Sequence, residues 1–432
     1  MDKKAYAKSM LEFLNAAPTP FQSIELLKDM LTKADAVELQ ENAVWNLEKG
    51  KLYYFEKDGS QLVAFRMGTE NLADTGFRMS GAHHDYPGFR IKPAGSQIDG
   101  GIERIAVEPY GGMIVRGWFD RPLSVAGRLC VRSDKGIKTV NVNIHEPLLI
   151  IPSLAIHLSR EVNDATKISM QNDVLPFFCF NDGNEKTFIK YIAQRAGVKH
   201  EDILSFDLTA YDYQDGCFIG PNEDFISTAR LDDASMVHAS FTALLEAQTP
   251  YTCIAVAYDH EEIGSNSTRG ARSNSLMMTV DRIIEKLGLS VEDKYRALAN
   301  SVMFSADMAH AVHPAYVSKM DPNHKLYLNK GPVLKTAQYQ SYATSSRGSA
   351  IFTWLCENNN IPYQVFTNHS DARGGGTIGP IIASAHGITT VDIGNPMMSM
   401  HAIRELAGTD DQYYMTMLFK ALFESDLKGA IC

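Results

Sequence analysis

The chain has 432 residues, with 51 acidic against 41 basic side chains and a formal charge of −10. That balance argues against a nucleic-acid binder, which needs a basic face to neutralise phosphates. No apolar run approaches the ~20 residues of a membrane helix. The 45% hydrophobic and 21% charged fractions are ordinary for a globular chain with a sizeable core.

The opening stretch, MDKKAYAKSMLEFLNAAP, has neither an apolar h-region nor a small-residue cleavage site, so no signal peptide is expected. Six cysteines are scattered without a CxxC pair. They read as reduced thiols in a cytoplasmic protein, not as a disulfide framework or zinc knuckle.

Along the chain, Met10, Leu11, Phe13 and Leu14 mark a first helix, Pro18 and Pro20 interrupt, and Ile24 to Leu31 resumes an amphipathic helix. Residues 45–68 alternate like hairpin strands, and FRMSGAHHD (77–85) reads as a strand ending in polar residues. Residues 97–221 have a β-rich texture (VEPYGGMIV, RPLSVAGRLCVRS, IKTVNVNIHE) broken by a helix near 185–196. Beyond residue 222, helices at 233–247, 275–287, 291–300, 343–358, 377–386 and 411–424 alternate with apolar strands. Those strands are TCIAVAY (252–258), VMFSAD (302–307), YQVFT (363–367) and TTVDIG (389–394). The alternation predicts an α/β sheet with helices on both faces, joined by the strand at 77–85. The expected organisation is a discontinuous α/β domain, 1–96 and 222–432, with 97–221 inserted.

The metal-competent residues fall where such strands end. His83 and Asp85 follow FRMSGA, Glu261 and Glu262 follow TCIAVAYDH, Asp307 ends VMFSAD, and His401 comes shortly after TTVDIG. Asp232 and Asp233 open the helix of ARLDDASMVHAS. Ligands in open α/β sheets bind beyond the carboxyl ends of the strands, so these groups are expected to converge. Taken singly, each has an ordinary explanation, such as an N-cap aspartate, a loop histidine or a solvated glutamate pair. Imidazoles and carboxylates without cysteine suit zinc, or cobalt or manganese. Five ligands are too many for one tetrahedral ion that keeps a water. They suit two ions sharing a carboxylate, an arrangement that acidifies water and polarises a carbonyl. Of the adjacent Glu261 and Glu262, one can ligate while the other serves as general base. The HExxH pattern is absent.

At these residues the sequence resembles the aspartyl aminopeptidase family of zinc metallopeptidases, which includes the yeast vacuolar aminopeptidase. The resemblance is carried by GAHHDYPGFRIKP (81–93), YGGMIVRGWFDRPLSVAGR (110–128), IPSLAIHLSR (151–160) and ARLDD (229–233). It continues through DHEEIGSNSTRGA (259–271), SADMAHAVHP (305–314), GPVLKTAQYQSYAT (331–344), GTIGP (376–380) and DIGNPMMSMHAIRE (392–405).

The resemblance implies a three-layer α/β/α peptidase domain with an inserted β-rich dimerisation domain. It implies that His83 and Asp307 hold one zinc, Glu262 and His401 a second, and that Asp232 bridges them. Glu261 would be the base, with Asp85 orienting a ligand. His310, Lys335 and Tyr342 would contact substrate, and His157 would reach a neighbouring subunit's site. The implied activity is removal of N-terminal residues, with Asp or Glu preferred, by a tetrahedral dodecamer acting on peptides.

Two segments depart from the family pattern: His84 replaces a common threonine, and NHSDARGGGTIGP (368–380) replaces a common cysteine-glycine-serine. The alternatives are a related two-metal deacylase or carboxypeptidase, with Arg373 or Arg404 as a carboxylate clamp, or a non-catalytic metal-stabilised scaffold.

Overall fold

The computed structural model describes every residue except Met1, Thr166, Asn184, Arg373 and 429–432. Its largest sheet has nine strands. At the centre, Thr252–Tyr258, Phe77–His83, Val302–Ala306 and Thr389–Gly394 run parallel, side by side in that order. The first three are buried at every position, as parallel strands covered on both faces must be. The hairpin Leu52–Lys57 and Gln61–Arg66 extends one side, and Val333–Lys335 with Gln364–Phe366 extends the other.

Side chains alternate across this sheet with period two. Cys253, Ala255 and Ala257 face a core shared with helices Lys3–Ala16, Pro20–Lys33, Leu231–Glu246, Ser346–Asn358 and Asp411–Glu424. Ile254, Val256 and Tyr258 face the opposite core, closed by helices Ser275–Lys286, Val291–Ala299 and Ile378–His386. The expected helix–sheet–helix layering is therefore present.

A second, antiparallel sheet of six strands has the order Gly136–Asn143, Leu123–Ser133, Ile203–Asp212, Gly88–Asp99, Ile102–Tyr110 and Phe177–Phe180. It has its own core around Phe89, Trp118, Val125, Leu129 and Phe188. Gly88–Asp99 is a strand that sequence patterning did not pick out. Pro93 and Gly95 break its apolar run, and its register shifts between Ile91 and Ser96. Conversely, the strand expected through VEPYGGMIV stops at Tyr110, where Gly111 turns at φ 66 into a short helical turn, Val115–Trp118. A third sheet is built from five strands of two to four residues, too short for periodicity to reveal.

The Asp232–Asp233 pair also differs from a simple helix start. Arg230 occupies the N-cap position at φ 64, and both aspartates have non-helical backbone angles and are joined by a cis peptide bond. Neither aspartate is an N-cap, and both are buried.

Gly394 ties the scaffold to the site. A Cβ there would lie 1.9 Å from the carbonyl oxygen of Asp307, whose own N–H donates to Ile393 at 2.9 Å. Gly394→Ala is expected to cost roughly 1–3 kcal/mol through overpacking, read as a lower urea midpoint with weaker zinc binding. An unchanged midpoint would contradict this account of the close approach.

Candidate metal centre

Because the central strands are parallel, their carboxyl ends share one edge. His83 closes its strand opposite Tyr258, and Asp307 follows Ala306 immediately. After Tyr258 the chain turns through His260 (φ 64) into the single helical turn Glu261–Ile263. Asp85 fixes that turn: Oδ1 accepts the Glu261 N–H at 3.1 Å, and Oδ2 accepts the Glu262 N–H at 3.1 Å and the Tyr110 hydroxyl at 2.7 Å. His401 lies at the tip of the hairpin Pro396–Met398 and Glu405–Gly408.

Both imidazoles are held in the same way. His83 Nδ1 lies 3.0 Å from the Asp85 carbonyl, and His401 Nδ1 lies 2.7 Å from the Gly112 carbonyl. A carbonyl oxygen only accepts, so each Nδ1 carries a proton and Nε2 is the ring nitrogen turned toward the carboxylates, the one that can ligate a metal once it is deprotonated. The two Nε2 atoms flank Asp232: His83 Nε2 is 3.7 Å from Oδ1, and His401 Nε2 is 3.4 Å from Oδ2. Glu261 Oε2 lies 3.9 Å from His83 Nε2, and Glu262 Oε1 lies 3.2 Å from His401 Nε2.

These donors fit divalent cations. Asp232 Oδ1 and Glu262 Oε1 are buried acceptors that receive no hydrogen bond, an arrangement that is costly unless a cation faces them. In the trio His83, Asp232 and Asp307 the potential ligand atoms lie within 4.8 Å of one another, and the same holds for Asp232, Glu262 and His401. Asp232 belongs to both. His83, Glu261 and Glu262 form an overlapping third trio.

Electrostatics agree with the geometry. Burial, reinforced by Asp307, Glu262 and Asp85 and opposed by His83, lifts the Glu261 carboxyl to about 8. Burial disfavours a charged His401, yet the carboxylates of Asp232 and Glu262 facing its Nε2 raise it to about 11, so a metal ion at this position competes with a proton for Nε2. Burial would raise Asp232, but His401, His83 and Lys335 hold it below the usual carboxylate range.

A cleft of about 630 Å³ opens over these groups, lined also by His310, Lys335, Tyr342, Gly375 and Gly376. Lys335 is buried, with Nζ 3.5 Å from Asp307 Oδ1 and 5.5 Å from the Tyr342 ring centre. Burial works against its charge, but Asp307 and other neighbours hold the ammonium above its usual pKa. His157 is not among the residues lining this cleft; it is exposed on the turn Ile156–Leu158.

Two features singled out in the sequence lie elsewhere. His84 is buried away from the metal-competent groups, between the Ser23 hydroxyl (2.9 Å) and the Ser60 carbonyl (2.8 Å). Arg404 is committed to Asp212 and to the carbonyls of Gln214, Asp215 and Ser227, so it offers no carboxylate clamp. Arg373 lies outside the described residues.

Sequence reasoning passed over Glu405 and left Asp233 without a role. Glu405 is buried; its Oε2 accepts the Asp232 N–H at 3.1 Å and its Oε1 accepts the His401 N–H at 2.8 Å. Asp233 Oδ2 accepts the His83 N–H at 3.2 Å. Glu405 closes the last quoted motif, the one signal that marked it.

Comparisons with known proteins place the chain in a family. Residues 13–423 match the family described as aminopeptidase I zinc metalloprotease (M18). A probable M18 family aminopeptidase 2 of Clostridium novyi is 42% identical over 429 residues, covering 98% of this chain and 99% of its own. A chain in a cryo-EM structure of the Ape4 and Nbr1 complex superposes with a TM-score of 0.94 at 32% identity, over 98% of this chain and 86% of that one. A structure of the S. cerevisiae mApe1 dodecamer gives 0.86 at 28% identity, over 97% and 96%. The fold is that of a zinc metallopeptidase family. The chain belongs to the M18 aminopeptidase I family and is a zinc-dependent aminopeptidase.

Glu405→Gln leaves one of the two backbone amides facing an NH₂ group. It is expected to weaken zinc affinity about 10- to 100-fold, as loss of a ligand-orienting partner does. Calorimetric titration of zinc into the metal-free protein measures this, and unchanged affinity would rule out the orienting role.

Proposed function

We propose that the site holds two divalent ions, zinc or in its place cobalt or manganese. His83 and Asp307 would hold one, Glu262 and His401 the other, and Asp232 would be shared. The observation that carries this reading is the Asp232 carboxylate, whose two oxygens each face a different imidazole Nε2. Bound there, the ions supply Lewis acidity toward a peptide carbonyl and acidify water.

The chain's own residues do the rest. Glu261 takes a proton from the attacking water and passes it to the leaving amine. Asp85 holds the backbone of Glu261 and Glu262 in register through their amides. A carboxylate of the cluster pairs with the free α-amine of the substrate, which sets the cut at the first residue. His310 donates to the oxyanion. Lys335, a buried cation beside Tyr342, receives the side chain of an N-terminal Asp or Glu.

We further read the inserted β-rich region, 97–221, as the contact between subunits, with His157 completing a neighbour's site. Leu154 and Leu158, exposed at 61% and 74% beside His157, support a surface covered on assembly. The dodecamer of the yeast relative supports a homo-oligomer, for which we propose tetrahedral symmetry. Among the described residues no helix is long and apolar enough to cross a membrane, and five cysteines are free. Free thiols fit a reducing cytoplasm.

Glu261→Gln is expected to retain its metal and lose roughly 10²–10⁴-fold in kcat. Near wild-type turnover would remove Glu261 as the base. A panel of peptides with N-terminal Asp, Glu, Leu, Lys and Ala should favour the acidic pair. N-acetylation should abolish cleavage, and Lys335→Met should erase the acidic preference while leaving the Ala peptide within about threefold. Cleavage of the acetylated peptide would point to a deacylase or carboxypeptidase instead.

A further inference from the structure

The segments GPVLKTAQYQSYAT, GTIGP and DIGNP stand out in the sequence, yet the metal chemistry gives Asp392 no task. This aspartate lies fully buried on Thr389–Gly394. Its Oδ1 accepts from the Ser305 hydroxyl at 2.7 Å and the Thr377 hydroxyl at 2.6 Å. Its Oδ2 accepts the Ala343 N–H at 2.6 Å, and its own N–H donates to the Thr344 hydroxyl at 2.8 Å. One residue thus grips two separate walls of the cleft. Thr377 continues the bare Gly375–Gly376 wall, and Ala343 follows Tyr342 on the other.

The helix Ile378–His386 shows how firmly one wall is held. Thr377 is its N-cap, but the Thr377 hydroxyl makes no capping bond and goes to Asp392 instead. A Cβ on Gly379 would sit 2.4 Å from each Asp392 oxygen, so the first helical turn rests directly on the carboxylate. Negative charge under a helix N-terminus is favourable in itself.

We infer that Asp392 is a positioning residue that ties these two walls together and fixes the width of the pocket for the substrate's N-terminal side chain. The inference rests on the reading of the cleft as an aminopeptidase site. If Asp392 only satisfied buried donors in the core, its loss would lower stability and leave substrate preference alone.

Asp392→Asn separates the two roles. The amide can keep its oxygen on the Ala343 N–H and turn its NH₂ toward the Ser305 and Thr377 hydroxyls, which must then accept instead of donate. The charge that strengthens these bonds is also gone, so the hold on the helix wall weakens most. The expected result is unchanged zinc content and kcat within about threefold, with KM raised about tenfold for peptides beginning with a long side chain. KM for an N-terminal glycine peptide should barely move. Thr377→Val, which frees only the helix wall, should raise the long-side-chain KM about threefold, and Thr377→Ser should restore it. These Thr377 variants decide the matter if Asp392→Asn does not fold. A uniform loss across all N-terminal residues, or unmoved KM in both Asp392→Asn and Thr377→Val, overturns the proposal. Wild-type protein that releases no N-terminal residue from any peptide refutes the reading of the cleft itself, a distinguishable failure.

Discussion

Asp232 lies between two imidazoles whose Nδ1 protons are already committed to backbone carbonyls. Their Nε2 atoms, and the buried oxygens of Asp232 and Glu262, face a common space. Acceptors buried in this way repel one another and are poorly solvated, so the arrangement is stable only around positive charge. Burial first, and the neighbouring carboxylates after it, raise the carboxyls of Glu261 and Glu262. Asp85, Asp233 and Glu405 grip the backbone of His83, Asp232, Glu261, Glu262 and His401, and they hold a crowded cluster in register.

The sheet makes the cluster possible. Parallel strands deliver the ends of distant segments to one edge, and residues 83, 261, 262 and 307 arrive there from three of them. The hairpin tip carrying His401 and the non-helical turn at Asp232 complete the circle from outside the sheet. Much of this was legible in the sequence, because apolar runs such as TCIAVAY announce buried strands and polar residues directly after them announce a site.

The supporting residues were less legible for a physical reason. Asp392 acts through Thr377 and Ala343, and Glu405 joins its neighbour His401 to the distant Asp232, and no local pattern encodes such long-range pairings. The strand Gly88–Asp99 was hidden because a proline, a glycine and a bulge interrupt its alternation. His84 shows the opposite limit. Its place beside a ligand suggested a bearing on the site, but alternation along the chain sends its ring to Ser23 and Ser60.

The six-stranded sheet begins at Gly88, five positions after His83. Its second strand ends at Tyr110, which holds Asp85, and the turn beyond supplies the Gly112 carbonyl that orients His401. The two sheets therefore share one support: unfolding the six-stranded sheet would release the groups that hold Asp85 and orient both imidazoles, so damage there would reach the metal-competent cluster without touching it.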